Sequence, residues 1–286
     1  MPSQASILTV HDHDRTTAGL TYVYPVVSRR AGGVSVGINL NTNNACNWRC
    51  IYCQVPDLTR GGPPAIDLSR LEQELRTFLR ELLFGDFMQE RVPEEARRIN
   101  DIALSGNGEP TSAKEFDQVI ALIGKVMGEF DLIGKIKLVL ITNGSLVHRA
   151  YVQSGLKHMA ELNGEVWFKL DGATPGDVRR INGTRLSIAK VRENFRIAAS
   201  LCPTWLQTCV FALDGESPSR EWREAYVALL SSLLGEGAGI QGVLLYGLAR
   251  PSMQPEATRL SALPNEWMEQ LAKEVSDLGL TVKLSL

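Results

Sequence analysis

From residue 34 onward, short apolar segments rich in β-branched residues alternate with longer segments whose apolar residues recur every three or four positions. The strand-like segments are 34–41 (VSVGINLN), 101–105 (DIALS), 136–142 (IKLVLIT), 165–170 (EVWFKL), 205–213 and 240–246. Between them, 67–83, 116–127, 148–162, 188–201 and 222–234 carry helical periodicity, and a last helix at 264–278 leads to a terminal strand at 280–286. In the first helix Leu68, Leu71, Leu75, Phe78, Leu79, Leu82 and Leu83 make one stripe, with Asp67, or Ser69 paired with Glu72, as the cap. Such alternation predicts an α/β fold with a parallel sheet and right-handed crossovers. Six βα units and a closing strand fit a partial (β/α)6 TIM-like barrel with an amino-terminal extension and a terminal extra strand. An open doubly wound sheet is the competitor, because periodicity does not separate the two. Residues 1–33 are expected to be the extension and 34–286 the core domain. Within 84–98, Gly85, charges and Pro93 interrupt the pattern, and an excursion or short second helix is expected there.

Composition narrows the class. Of 286 residues, 44% are hydrophobic and 22% charged, as in ordinary globular proteins. No apolar run reaches signal-peptide or membrane-span length, so the expected location is cytoplasmic, with no membrane partner. That compartment is reducing, and clustered cysteines there point to metal or redox chemistry. A net charge of −2 gives the whole molecule no bias toward phosphate backbones. The pairs Arg29-Arg30, Arg97-Arg98 and Arg179-Arg180 read as solvated surface, and His11-Asp12-His13-Asp14 as a polar tail.

Three of the five cysteines, Cys46, Cys50 and Cys53, fall in a C-x3-C-x2-C pattern directly after the first predicted strand. Thiolates this close on one loop can reach adjacent corners of an iron-sulfur cubane at small loop-closure cost, and three ligands leave one iron open. Zinc would call for a fourth ligand at finger-like spacing, and His13 and His148 lie far outside it. Cys202 and Cys209 are too few for a second cluster and read as core residues near the fifth strand.

In a parallel sheet the carboxyl ends of the strands converge on one face, and here they are polar. Ser105 is followed by Gly106-Asn107-Gly108-Glu109-Pro110, Thr142 by Asn143-Gly144-Ser145, and Leu170 by Asp171-Gly172-Ala173. Taken singly, each is a turn. Together with the cysteine loop they suggest a site, since glycines allow backbone to approach a ligand closely.

These motifs resemble the radical SAM superfamily. Cys46, Cys50 and Cys53 have its spacing, with the aromatic Tyr52 before the last cysteine, and Asn107-Gly108-Glu109-Pro110 resembles its GGEP motif with Asn107 in place of the first glycine. The resemblance implies a [4Fe-4S] cluster held by the three cysteines. It also implies S-adenosyl-L-methionine chelated to the open iron, with residues 106–110 against its amino group. Reductive cleavage would yield a 5′-deoxyadenosyl radical that abstracts hydrogen from a substrate. Tyr52, Asn143, Lys169 and Asp171 are further expected cofactor contacts. Lys169 and Asp171 share a strand face. Lys169 has three readings: a carboxylate anchor, an imine-forming amine, or an ion-pair partner of Asp171, the last slightly favoured. Lys169 and Arg250 are the catalytic candidates, and Tyr246 and Cys209 also fall near strand ends.

Within the superfamily, Arg29 to Gly33, Gly37 to Leu40 and Gly108-Glu109-Pro110-Thr111 resemble the wyosine-synthase-related group, which modifies tRNA. The chain lacks the amino-terminal cysteines of a second cluster. The implied partners are a reducing electron donor of flavodoxin or ferredoxin type and a small or medium-sized substrate. A tRNA substrate is the less favoured alternative, a glycyl-radical activase another, and a non-catalytic electron carrier or redox sensor the reading from a different class.

Overall fold

A computed structural model describes residues 7–8, 19–28, 32–248 and 250–286. The His11 to Asp14 tail and the turn residues Arg29, Arg30 and Ala31 lie outside the described residues. An eight-stranded sheet is built from β1 (Val23–Ser28), β2 (Gly33–Ile38), β5 (Ile99–Leu104), β6 (Lys137–Thr142), β7 (Gly164–Lys169), β8 (Thr204–Cys209), β10 (Ile240–Tyr246) and β12 (Val282–Ser285), in that spatial order. All neighbours are parallel except β1, which pairs antiparallel with β2. Residues assigned to an amino-terminal extension thus form an edge strand. Two short pairs flank the sheet: β3 (Ala45–Cys46) with β4 (Thr59–Arg60), and β9 (Ala212–Leu213) with β11 (Leu260–Ser261).

The helices are α1 (Leu68–Phe84), α2 (Phe87–Arg91), α3 (Phe116–Glu129), α4 (Ala150–Glu161), α5 (Pro175–Asn182), α6 (Ile188–Leu201), α7 (Arg220–Gly235) and α8 (Asn265–Ser276). Asp67 caps α1 by accepting from the Arg70 N–H, the first of the two caps the sequence offers. Of the predicted stripe, Leu71, Leu75, Phe78, Leu79 and Leu82 are buried while Leu83 faces outward. Each fully buried leucine contributes about 2 kcal/mol of apolar transfer.

Period-two alternation decides what the sheet does on each face. On β7, Val166 and Phe168 enter the main core, where Phe168 meets Phe195 of α6 edge to face at 5.5 Å. Trp167 and Lys169 point the other way, into a cavity of about 330 Å³. Tyr24 of β1, Ser35 of β2, Asp101 of β5, Gln207 of β8 and Tyr246 of β10 line the same cavity, so the inner face of the sheet is concave. Helices cover the outer face, and the inner one carries polar side chains such as Asp101, Lys169 and Gln207 beside the apolar Val26, Ile141 and Trp167.

Candidate active site

The cysteine loop is fixed first by asparagines. Asn39 Oδ1 accepts from the N–H groups of Asn41 (3.1 Å) and Asn107 (3.0 Å), and Asn41 Nδ2 donates to the Ala45 carbonyl at 2.8 Å. Asn44 adopts φ 54°, a left-handed conformation that asparagine tolerates, and accepts from Asn107 Nδ2 at 2.6 Å. A Cβ on Gly106 would stand 2.4 Å from Asn39 Oδ1, and one on Gly108 2.2 Å from the Ala45 carbonyl oxygen. These glycines let the end of β5 close against the cysteine loop.

Cys46, Cys50 and Cys53 are half-buried and line the cavity. The loop is held from two further sides. On one, the N–H groups of Arg49 and Ile51 donate to the carbonyls of Asn182 (3.0 Å) and Ile181 (2.9 Å) at the end of α5. On the other, Ser252 Oγ donates to the Ile51 carbonyl at 2.7 Å, the Met253 N–H to that of Cys53 at 2.9 Å, and Gln254 Nε2 to that of Val55 at 2.9 Å. Asn182 Nδ2 lies 3.3 Å from Cys50 Sγ, and the Trp48 N–H 3.5 Å from Cys46 Sγ.

Burial pushes the Cys46 thiol up to about 11, and burial together with the Asp171 charge pushes Cys50 up to about 12. Both free thiols are therefore neutral near pH 7, and a positive centre is needed to draw out their thiolates. Among the described residues no three His, Cys, Asp or Glu side chains converge on a single ion. Thiols spread around one cavity suit a cluster with a separate iron for each sulfur better than one tetrahedral zinc.

Glu109 is buried and accepts four hydrogen bonds. Oε1 receives the Thr111 N–H (3.1 Å), Thr111 Oγ1 (2.5 Å) and Thr142 Oγ1 (2.6 Å), and Oε2 receives the Asn143 N–H at 2.6 Å. Burial raises its pKa against these four donors. The carboxylate thus ties the end of β5 to the end of β6. Pro110 opens a buried 3-10 turn, Pro110–Ser112, and lines no part of the cavity. Asn143 faces the cavity with its side chain engaged, donating to Asn47 Oδ1 (2.8 Å) and accepting from the Ser145 hydroxyl (2.7 Å). Asn107 Oδ1, in contrast, is buried without a partner on a residue that lines the cavity. An unpaired buried acceptor there fits an ammonium group, such as that of a methionine moiety.

Lys169 Nζ lies 2.9 Å from the hydroxyls of both Tyr52 and Tyr246 and sits over both rings, 5.0 and 5.6 Å from their centroids. Burial opposes its charge, but Tyr246, Asp171, Cys50 and Cys209 together outweigh burial and raise its pKa. A protonated amine is not an imine-forming nucleophile. The expected Lys169–Asp171 ion pair is replaced. Asp171 accepts from the Tyr52 hydroxyl (2.5 Å), Asn182 Nδ2 (2.7 Å) and the Cys209 N–H (3.0 Å), and it does not line the cavity expected to hold the cofactor. Its place is beneath Cys50 and Tyr52. Arg250, Tyr246 and Cys209 all line the cavity. Cys209 is therefore both a buried residue and a wall of the site.

Sequence reasoning missed Asn182, Ser252 and Gln254, whose partners are distant in the chain. It also missed Gln207, a buried inward-facing residue of β8 whose Oε1 has no partner. The asparagines of the loop had a signal in the run Asn39, Asn41, Asn43, Asn44, Asn47.

Residues 40–224 match the Radical SAM superfamily, and the chain belongs to it. Its cofactors are that superfamily's [4Fe-4S] cluster and S-adenosylmethionine, and it is an enzyme. It is 30% identical over 161 residues to the UPF0026 protein slr1464 of Synechocystis, covering 56% of this chain and 52% of that one. It is likewise 30% identical over 135 residues, 46% of this chain, to a protein named GTPase Obg from Brachyspira hyodysenteriae, of which the match covers 17%. The chain thus spans about half the length of the first relative and far less of the second. In fold it is similar to a radical SAM methyltransferase from Sphaerobacter thermophilus (TM-score 0.55, 12% identity, 88% of this chain and 66% of that one). Spore photoproduct lyase is similar too (TM-score 0.54, 12% identity, 87% and 76%). No helix among the described residues is long and apolar enough to cross a membrane.

Proposed function

We propose that Cys46, Cys50 and Cys53 hold the [4Fe-4S] cluster through three irons, and that the cavity beside them binds S-adenosylmethionine and one small or medium-sized substrate. One observation carries the reading: the three cysteines and the 106–109 segment line a single cavity, and Asn107 of that segment has a buried side-chain oxygen without a partner. When bound and reduced, the cluster supplies the electron that cleaves the sulfonium and starts hydrogen abstraction. Asn107 Oδ1 accepts from the cofactor's ammonium. Gly106 and Gly108 keep the backbone close enough for that contact, while Glu109, also on the cavity wall, fixes the strand ends beside the cofactor. Lys169 has used two of its three N–H bonds on tyrosines and offers the third to an anionic or carbonyl oxygen.

The concave inner face supports a partial (β/α)6 barrel as the description of the sheet, residues 34–286 forming the core domain. The same chemistry calls for a low-potential electron donor and a reducing, cytoplasmic setting. tRNA base modification, suggested by the wyosine-like motifs, remains the alternative substrate class.

Anaerobic reconstitution tests the reading. About four irons per chain and reductive formation of 5′-deoxyadenosine are expected, with both lost in Cys50→Ala. Iron loading without cofactor cleavage would assign the chain to electron carriage instead.

A further inference from the structure

Gln207 and Lys169 stand side by side. They are register partners on β8 and β7, and both line the cavity from the inner face of the sheet. Gln207 is buried, yet its carboxamide makes no hydrogen bond with the described residues, and its Oε1 is enclosed without a partner. A primary amide kept from water in this way is costly unless something pairs with it. Its neighbours on the wall do not. Trp167 Nε1 already donates to Glu165 Oε1 at 2.8 Å, Ile141 is apolar, and Lys169 spends two of its three N–H bonds on Tyr52 and Tyr246.

These groups have a definite complement. The Gln207 oxygen accepts, its nitrogen donates in the same plane, and Lys169 adds a further donor from the neighbouring strand, about 4.8 Å away. An amide answers all three: its N–H donates to Oε1, and its carbonyl oxygen, with two lone pairs, accepts from Nε2 and Nζ. The N–H and the carbonyl must share one edge, as they do in a primary carboxamide or a lactam and not in a trans peptide bond. An ester leaves Oε1 unpaired, and a carboxylate sets its charge against it. Adenine matches a glutamine alone, but it has no carbonyl oxygen to take the extra donor. We propose that Gln207 is a specificity-determining residue and that, with Lys169, it selects a substrate carrying a primary carboxamide or a lactam. The inference rests on the assignment of this cavity to cofactor and substrate. The cofactor's ammonium goes to Asn107 at the end of β5, three places from β8 in the sheet and on the order of 14 Å along it. The ammonium site and the amide site are separate poles of one cavity.

The test reads binding to the oxidised, reconstituted protein by calorimetry, with benzamide, methyl benzoate and benzoate as probes, so that neither reduction nor turnover enters. Wild type is expected to bind benzamide about tenfold more tightly than either of the other two. That preference disappears in Gln207→Leu, and also in Gln207→Met, which keeps the length of the side chain. Both variants retain the wild-type circular dichroism and the wild-type affinity for S-adenosylmethionine. Equal affinities in wild type, a preference for benzoate, or a benzamide preference undiminished in both variants overturns the proposal. So does a fall in S-adenosylmethionine affinity with the benzamide preference retained, which gives Gln207 to the cofactor's adenine. Absence of 5′-deoxyadenosine from reduced wild type overturns the proposed function instead, and the probe affinities still decide the amide site.

Discussion

Lys169 and Asp171 meet through a third residue: the Tyr52 hydroxyl lies 2.9 Å from Lys169 Nζ and donates to Asp171 Oδ2 at 2.5 Å. Because Tyr52 stands one residue before Cys53, this chain fastens the cysteine loop to the ends of β7 and β8. Burial raises the Tyr52 pKa well above its ordinary value, with Asp171 adding to it, so the hydroxyl keeps its proton and can donate.

Tyr52→Phe removes the bridge and leaves a buried ammonium and carboxylate each short of a partner. A loss of about 2 kcal/mol in denaturant unfolding is expected. An unchanged midpoint at unchanged m-value would show that the hydroxyl bridge carries no net stability.

Acid should loosen the first strand. Glu74 on α1 accepts from the N–H groups of Thr21 (2.9 Å) and Tyr22 (2.8 Å) and from Arg70 Nε (2.9 Å). Burial pushes its pKa up, but those donors outweigh it and the net shift is downward. A depressed folded-state pKa gives stability that is complete above the ordinary 4.5 and is lost as pH falls through the folded value. Hydrogen-exchange protection factors at the amides of β1 should fall in that acid window. In Glu74→Gln the acid-dependent part should vanish; a pH profile identical to wild type would refute this anchor.

Gly183 has φ 60°, and a Cβ there would stand 2.7 Å from the Arg49 carbonyl oxygen. Gly183→Ala therefore combines left-handed strain with a backbone clash, costing about 2 kcal/mol. Because Arg49 adjoins Cys50, reconstituted protein should also release iron to a chelator faster. Wild-type release rates would separate this turn from the cysteine loop.

Gln207 predicts the opposite sign. Its Oε1 is buried without a partner, so Gln207→Leu should raise stability by about 1 kcal/mol, read as a higher melting temperature of the apoprotein. A fall in melting temperature would mean that the amide is satisfied in solution. If ligand binding satisfies this oxygen, the more stable variant should bind or turn over less well.

Much of the scaffold was legible because its signals are local. The periodic segment 188–201 forms α6 over the same residues, and 240–246 forms β10. Helix α5 escaped notice because it has eight residues with only Val178 and Ile181 as apolar anchors. Its signal was instead a capping box between Thr174 and Asp177 with Pro175 at the start. Strand β1 was set apart because no helix separates it from β2, and an antiparallel edge strand leaves no βα rhythm to read. Among site residues, Cys46, Cys50 and Cys53 were visible in their spacing. Asp171 was visible as a polar strand end, but whether it turns toward a ligand or beneath Cys50 depends on Asn182 and Tyr52, contacts that no local pattern encodes. The Lys169 environment was hidden for the same reason: Tyr246 comes from a strand 77 residues later.

The Ser252 bond to the Ile51 carbonyl joins residues 201 positions apart. On a ribosome, the cysteines therefore emerge long before the segment that closes over them, and β7, β8 and β10 are already made when it arrives. The pocket is completed from its far end, and a chain stopped before Ser252 leaves the Ile51 and Cys53 carbonyls without these donors. Iron delivered to nascent chains of increasing length should be retained stably only once residues 252–254 have cleared the exit tunnel.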